Sequence, residues 1–335
     1  MSWEDVKAIF RPETVHLGVM AIDKENCTKC GLCIENCPFK CWEIGEDGYP
    51  RLKKGYACFS CFNCMIPCPT NAVSIVEPYH VHEGPFATDP HPLPVKMPKE
   101  ARDAEGKLTE WTATERLVFE RRSVRNFKDK PVPESLIRRV LEAGRFAPSG
   151  GNCQPWRFIV ITDKALLNEI NVFVRDFLTN MYNTYIDDEK VKAMAANFEA
   201  IPGQPIGSYD PRIIIGGVGS IAGGNLPPLL NAPAVIVVAG DDRAIGGPQI
   251  AAGICGQNMS LVAKAIGLGS CWVGFIGYAN ASPSIMEKLG LQPPWRIVTS
   301  IAVGYPKFKQ EGMVPREFRP ITWFREGASG PEIEE

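Results

Sequence analysis

A doubled cysteine pattern constrains this chain more than any other feature. Two runs share one spacing, Cys27-x2-Cys30-x2-Cys33-x3-Cys37-Pro38 and Cys58-x2-Cys61-x2-Cys64-x3-Cys68-Pro69. Nine of the twelve cysteines lie between Cys27 and Cys68, while Cys153, Cys255 and Cys271 are scattered. Dense and regular thiols in a chain of this kind point to metal rather than disulfides. Two zinc knuckles would use paired C-x2-C units, and the triple C-x2-C-x2-C with a trailing Cys-Pro in both halves fits them poorly. Cys41 is surplus to the pattern and reads as a small buried hydrophobe.

The run resembles that of the bacterial two-cluster ferredoxins, in which the fourth cysteine of each run ligates the other cluster. Carried over, the resemblance implies two [4Fe-4S] clusters, one on Cys27, Cys30, Cys33 and Cys68, the other on Cys58, Cys61, Cys64 and Cys37. Ile22-Asp23 before the first run and Ala72-Val73-Ser74-Ile75 after the second fit the short flanking strands of such a module, here residues 18–77.

At 335 residues the chain has room for one ordinary domain beside this small one. A net charge of −2 argues against a nucleic-acid partner, which needs a concentrated basic surface. The longest aliphatic run, 234–239, is too short to cross a bilayer, so no membrane role is expected. Met1-Ser-Trp-Glu-Asp does not resemble a signal peptide, and the expected location is cytoplasmic. All four histidines (His16, His80, His82, His91) precede residue 100, which removes triad or zinc chemistry needing a histidine from the large domain. Residues 78–111 open with a proline-rich stretch lacking helical or strand period and read as an extended linker, its His80 and His82 as part of a solvated loop.

The remainder, residues 112–325, mixes helix and strand periods. Thr112 and Glu115 form a capping-box signature. Helices are expected over 134–143, 165–182 and 249–266, with a short one opened by Ser282-Pro283. Strands are expected over 156–161, 234–239, 270–275 and 295–303. Gly217-Val218-Gly219-Ser220-Ile221-Ala222 imitates a dinucleotide fingerprint, but Gly223, Gly224, Pro227 and Pro228 should break the helix such a site requires. The expectation is therefore a mobile glycine-rich loop within an irregular insertion, 187–231, able to act as a lid.

Two further stretches carry chemistry. Arg121-Arg122-Ser123-Val124-Arg125 offers three guanidiniums and a hydroxyl suited to a phosphate. Pro148-Ser149-Gly150-Gly151-Asn152-Cys153-Gln154-Pro155-Trp156 is a turn whose N–H groups and amides could hold a flat polar ligand by its edge. Taken in order with the closing Val-Gly-Tyr-Pro and an arginine about ten residues later, they resemble the FMN-dependent nitroreductase family, and the cysteine runs match its ferredoxin-fused branch. The resemblance implies an α+β homodimer with FMN at the subunit interface. Arg121, Arg122, Ser123, Arg125 and Arg316 would hold phosphate and ribityl, with Lys307, Lys309 and Arg319 as competitors for the last place. Asn152 would contact the isoalloxazine edge, in a pocket shaped by Pro148, Ser149, Gly150 and Gln154, with Cys271, Trp272 and Gly274 on its other side. No residue is expected to act as a catalyst, the flavin being the reactive centre; Cys153 has no histidine to activate it and reads as a structural thiol.

The leading functional expectation is an oxidoreductase passing electrons from a donor such as ferredoxin through both clusters and FMN to a small organic acceptor (nitro, quinone, enone or similar). The alternatives are an NAD(P)H-dependent nitro- or quinone-reductase with the clusters as a side exit, and a non-catalytic carrier or redox sensor.

Overall fold

The computed structural model describes residues 15–58, 60–82, 93, 100–187, 189, 213–317 and 319–334. The cysteine module comprises β1 (Val15–His16), β2 (Val19–Ile22), α1 (Leu32–Asn36), β3 (Trp42–Ile44), β4 (Pro50–Leu52), β5 (Val73–Glu77) and β6 (His80–Val81). These strands pair as three antiparallel ribbons, β1 with β6, β2 with β5 and β3 with β4. His80 and Val81 lie in the stretch expected to be featureless. They form a strand because β1 offers them a partner, and His80 stacks on His16 with ring centroids 4.7 Å apart. The ribbon structure thus runs from Val15 to Val81, past both expected edges.

The repeat is written in the backbone as well as in the cysteines. Left-handed residues recur thirty-one positions apart, as Lys29 and Ser60, Gly31 and Phe62, Lys40 and Asn71. Five of the six carry side chains that ordinarily avoid this region, so the turns are dictated by the thiols they must aim. The last pair turns an amide back onto each fourth cysteine. Cys41 N–H donates to Cys37 Sγ at 3.4 Å, and Ala72 N–H to Cys68 Sγ at 3.2 Å.

The large domain contains α2 (Ala113–Glu120), α3 (Glu134–Arg145), a 3-10 turn at Gly150–Asn152, β7 (Trp156–Ile161) and α4 (Lys164–Tyr185). A π-helical turn, Ile213–Val218, runs into α5 (Gly219–Ala222), followed by β8 (Ala234–Asp241), α6 (Pro248–Ala265) and β9 (Gly269–Trp272). A 3-10 helix (Gly274–Ala281), α7 (Pro283–Lys288) and β10 (Trp295–Gly304) complete it, and an exposed ribbon of β11 (Ile321–Trp323) and β12 (Glu332–Glu334) follows.

Its sheet has the order β7-β8-β10-β9, antiparallel throughout, which gives the α+β class. Central β8 is fully buried from Ala234 to Ala239, at roughly 1.5–3 kcal/mol for each Val or Ile. Ala234, Ile236 and Val238 face the layer of α3 and α6, whereas Val235, Val237 and Ala239 face α4, α5 and α7. The second of these cores is continuous with that of the cysteine module, and Phe127 and Val314 pack against it.

Two expectations for this domain are corrected. The strand over 270–275 stops at Trp272, because the chain turns into the 3-10 helix at Gly274. The glycine-rich stretch is helical rather than a loop, since Val218, Ser220 and Ile221 are buried and α5 packs on α4. With an antiparallel sheet beside it, it is not a dinucleotide turn. Residues 190–212, the bulk of the expected lid, lie outside the described residues.

Candidate functional site

The segment 121–127 is positioned by the sheet edge. Ser123 bridges Ser270 of β9 in parallel, Val124 N–H donates to Ser270 O at 2.8 Å, and Phe127 bridges Pro306. Gly269 permits the approach, because a Cβ there would lie 2.9 Å from three side-chain carbons of Val124. Val124 is buried, so its neighbours in the sequence turn the other way.

Arg121 emerges beside Cys271 and Arg316. Its Nε is buried and, among the described residues, has no hydrogen-bond partner. Burial, and then the charge of Arg316, push the guanidinium below its ordinary range. Arg316 is exposed and, among the described residues, donates to the carbonyl of Pro315 at 3.1 Å. Neither is paired with a carboxylate among the described residues. Two cations that repel each other, one with an orphaned donor, form a binding site for an anion with several oxygens, and a phosphate monoester fits it.

Arg122 does not join them. It is buried, its guanidinium donates to the carbonyls of Glu120, Glu311 and Gly312, and burial lowers it to about 10. Together with Lys264, whose Nζ donates to Gln310 O at 3.0 Å, it pins the 310–312 turn that leads to Arg316. The expected ligand contact is therefore a support. Arg-Arg pairs carry no signal saying which member turns inward, and the deciding carbonyls lie about 190 residues away.

The second stretch forms a tight turn after α3. Asn152 N–H donates to Ser149 O at 2.9 Å, Gln154 N–H to Ser149 Oγ at 2.9 Å, and Gly151, Asn152 and Gln154 all have positive φ. Pro148, Gly150, Asn152, Cys153 and Gln154 are exposed and Ser149 half-buried. Cys153 is thus a surface thiol, not a core one. Around the turn stand Phe146 at 83 % exposure, Ile245 at 72 % and Ile250 at 66 %, and Gly150 sits against Ile245.

The two stretches lie at opposite corners of the sheet. Trp156 is level with Gly240 and Arg296, whereas Ser270 is level with Val303 on the far edge. The seven steps from Arg296 to Val303 span roughly 23 Å at about 3.3 Å each, and three strand spacings add about 14 Å across. Cys271 accompanies Arg121 within the same protomer, not the turn at 148–154. Trp272 points to the opposite face, into the space left by Gly256 of α6, where a Cβ would sit 2.3 Å from its ring. Gly274 has open space around it. Tyr278 directs its hydroxyl to Met181 Sδ at 3.9 Å and stacks on Phe177.

In the module, Cys27, Cys30, Cys33 and Cys68 line one small cleft, partly open to solvent, with Ile22, Gly31 and Val73. Cys68, from the other run, thus shares a cleft with the first three cysteines of the first run. Cys37, Cys58, Cys61 and Cys64 lie within electrostatic reach of one another. Burial pushes Cys61 up to about 11, opposed by the nearby guanidinium of Arg125, and pushes Cys64 further. Cys37 is drawn down to about 6, chiefly by a hydrogen bond from the thiol of Cys41, which also reaches Cys58. Cys41 is buried, as expected, but it borders this second set instead of filling plain core. Thiols on turns with amides aimed at sulfur are the donor type that an iron–sulfur centre uses.

Comparison with known proteins decides the family. The sequence pattern of the nitroreductase family matches residues 118–305, more than half of the chain, and that of the 4Fe-4S binding domain matches residues 20–43. The chain belongs to the nitroreductase family. It is accordingly an oxidoreductase with an iron–sulfur motif in front of its nitroreductase domain. Chloronitrobenzene nitroreductase of Comamonas testosteroni is 26% identical over 197 residues, covering 56% of this chain and 85% of its own length. An NADH dehydrogenase of Thermus thermophilus is 52% identical over 48 residues, 14% of this chain and 23% of its own. Among solved structures, an FMN-bound nitroreductase of Desulfitobacterium hafniense DCB-2 is 25% identical and covers 62% of this chain and 96% of its own, with a TM-score of 0.46.

Proposed function

We propose that this nitroreductase-family protein binds FMN and two [4Fe-4S] clusters, and moves electrons between an external one-electron donor such as ferredoxin, the clusters, the flavin and a small organic acceptor. The observation that carries the reading is the pair Arg121 and Arg316, unpaired cations with a buried orphan donor at the edge of β9. They would hold the flavin phosphate with Ser123 and Arg125, while Arg122 fixes the turn behind them. Bound FMN supplies exchange of electrons singly or in pairs, which clusters limited to single electrons need in order to serve a two-electron acceptor.

The expected isoalloxazine turn at 148–154 is too distant from Arg121 to meet the same ligand within one chain. In this reading two copies share each site, one giving the Arg121 corner and its partner the Asn152 corner. The exposed Phe146, Ile245 and Ile250 around that turn are the apolar surface such a dimer would bury. The nitroaromatic named for the Comamonas relative supplies a first acceptor class to try.

A second reading, with NADH as donor, is favoured by the name of the Thermus relative. Anaerobic rapid mixing separates the two. Flavin bleaching within milliseconds of adding NADH would select the second, whereas bleaching only by a reduced one-electron carrier would select the first. Composition is the prior test. About eight iron and eight sulfide per chain are expected from two four-iron cubes, with one FMN; zinc or half that iron sinks the two-cluster proposal.

A further inference from the structure

One segment of the large domain, residues 125–127, meets the cysteine module. Asn126 is anchored on one side by its backbone, whose carbonyl accepts from Lys307 N–H at 3.0 Å. Its side chain points the other way and donates to both Asn36 O at 3.2 Å and Asn36 Oδ1 at 3.1 Å. Asn36 in turn donates from Nδ2 to Asn63 O at 2.6 Å. Both Asn36 and Asn63 are 5% exposed, among the few buried polar side chains of the protein.

This amide relay ends mainly beside one set of thiols, and Asn36 also closes the helix that carries Cys33 of the other. Asn36 immediately precedes Cys37, and Asn63 lies between Cys61 and Cys64, so three of the four thiols of the second set sit on turns held by it. Arg125, next along the segment, has its guanidinium beside Cys61. Phe127 packs on the core shared by module and domain. The other set reaches solvent at Cys30, which is exposed, and its Cys33 is buried.

We propose that the cluster on Cys37, Cys58, Cys61 and Cys64 is the one that exchanges electrons with the flavin site, and that Arg125 and Asn126 are positioning residues which set its potential and its placement. The inference rests on the two-cluster, FMN reading above. A low-potential one-electron carrier delivers an electron at the Cys30 side. It passes to the second cluster and then to the flavin, and two such electrons, with protons from solvent, complete one reduction. Arg125 acts on the cluster, because a cation beside Cys61 stabilises the extra electron there. Its charge therefore raises the potential of this cluster above that of the other. Asn126 resists any change in separation, since moving it would strip two buried hydrogen bonds from Asn36.

The test is a potentiometric titration followed by electron paramagnetic resonance, with flavin content measured on the same full-length protein. An added dysprosium chelate identifies the exposed cluster by its faster relaxation. In Arg125→Gln, the midpoint of the shielded cluster should fall by a factor of about ten in its one-electron equilibrium, 59 mV, while the exposed cluster stays put and Arg125→Lys restores the value. In Asn126→Ala, passage of electrons from the clusters to the flavin should slow at least tenfold with both cluster signals intact. Unmoved midpoints in Arg125→Gln, or a shift confined to the exposed cluster, overturn the proposal. Loss of flavin with unmoved midpoints overturns it too, but leaves the phosphate assignment standing. A shifted midpoint with full flavin supports it and removes Arg125 from the phosphate site.

Discussion

The cysteine module and the four-stranded domain hold their folds by different means. The module has only two-stranded ribbons, a five-residue helix and a core in which Cys33, Cys37, Cys41 and Cys64 stand among Met20, Phe39, Trp42 and Met65. Isolated two-stranded ribbons are marginal in water, and left-handed turns at Lys29, Ser60, Phe62, Lys40 and Asn71 add strain. Such a module folds around its metal. The large domain needs no such centre, because β8 is sealed on both faces and α2, α4 and α7 are capped by their own residues. The difference shows how the protein divides its labour: bound inorganic groups order one region, while the other is a preformed frame for an organic one.

The largest expected effect tests that division directly. Stripping iron anaerobically with a chelator and oxidant should expose residues 15–82 to proteolysis at least a hundredfold faster, an opening of roughly 3 kcal/mol or more, while fragments spanning β7 to β10 persist. Equal loss of both regions would break the comparison. Next in size is Arg121→Ala, which removes charge-assisted hydrogen bonds worth roughly 1.5–3 kcal/mol each. FMN retention should fall by at least tenfold in equilibrium dialysis, with the thermal midpoint of the apoprotein unchanged. A variant that keeps its flavin would remove the phosphate site from this corner.

Ile250→Glu places a charge on the exposed apolar surface around the turn at 148–154. Sedimentation should report a shift from dimer to monomer with weaker flavin binding, and an unaltered dimer would relocate the interface. Gly256→Ala sharpens the description of the frame. Its new Cβ meets the ring of Trp272, and overpacking of this kind costs about 1–3 kcal/mol, read as a lowered thermal midpoint with cluster content intact. The smallest effect belongs to Thr112→Ala. It removes a capping box whose hydroxyl accepts from Glu115 N–H at 3.3 Å, at about 1 kcal/mol. Because α2 buries none of its residues, the loss should appear as faster hydrogen exchange in that helix alone.

Much of the frame could be read from residues. The periods of 134–143, 165–182, 234–239 and 295–303 place α3, α4, β8 and β10 within one to three residues at each end, because each buries one helical face or a complete strand. Thr112 and Ser282 mark helix starts through local hydrogen bonds. The resemblance to two-cluster ferredoxins groups Cys68 with Cys27, Cys30 and Cys33, and these four line one cleft. In each case the interacting groups are near in sequence or repeat with a period.

What only the tertiary structure decided depends on partners that no period encodes. That Arg121 faces the anion corner while Arg122 grips a turn 190 residues on is settled by which carbonyls the sheet edge brings near. That Trp272 turns under α6, away from Cys271, follows from the pleat of β9 and the gap at Gly256. That the glycine-rich stretch winds into helix follows from the apolar layer waiting for Ile221. The sequence by itself determined which chemistry the protein carries, since ligand spacing is a local property. The fold decided how those chemistries are joined, because Asn126 and Asn36 are ninety residues apart and meet only once both regions have packed.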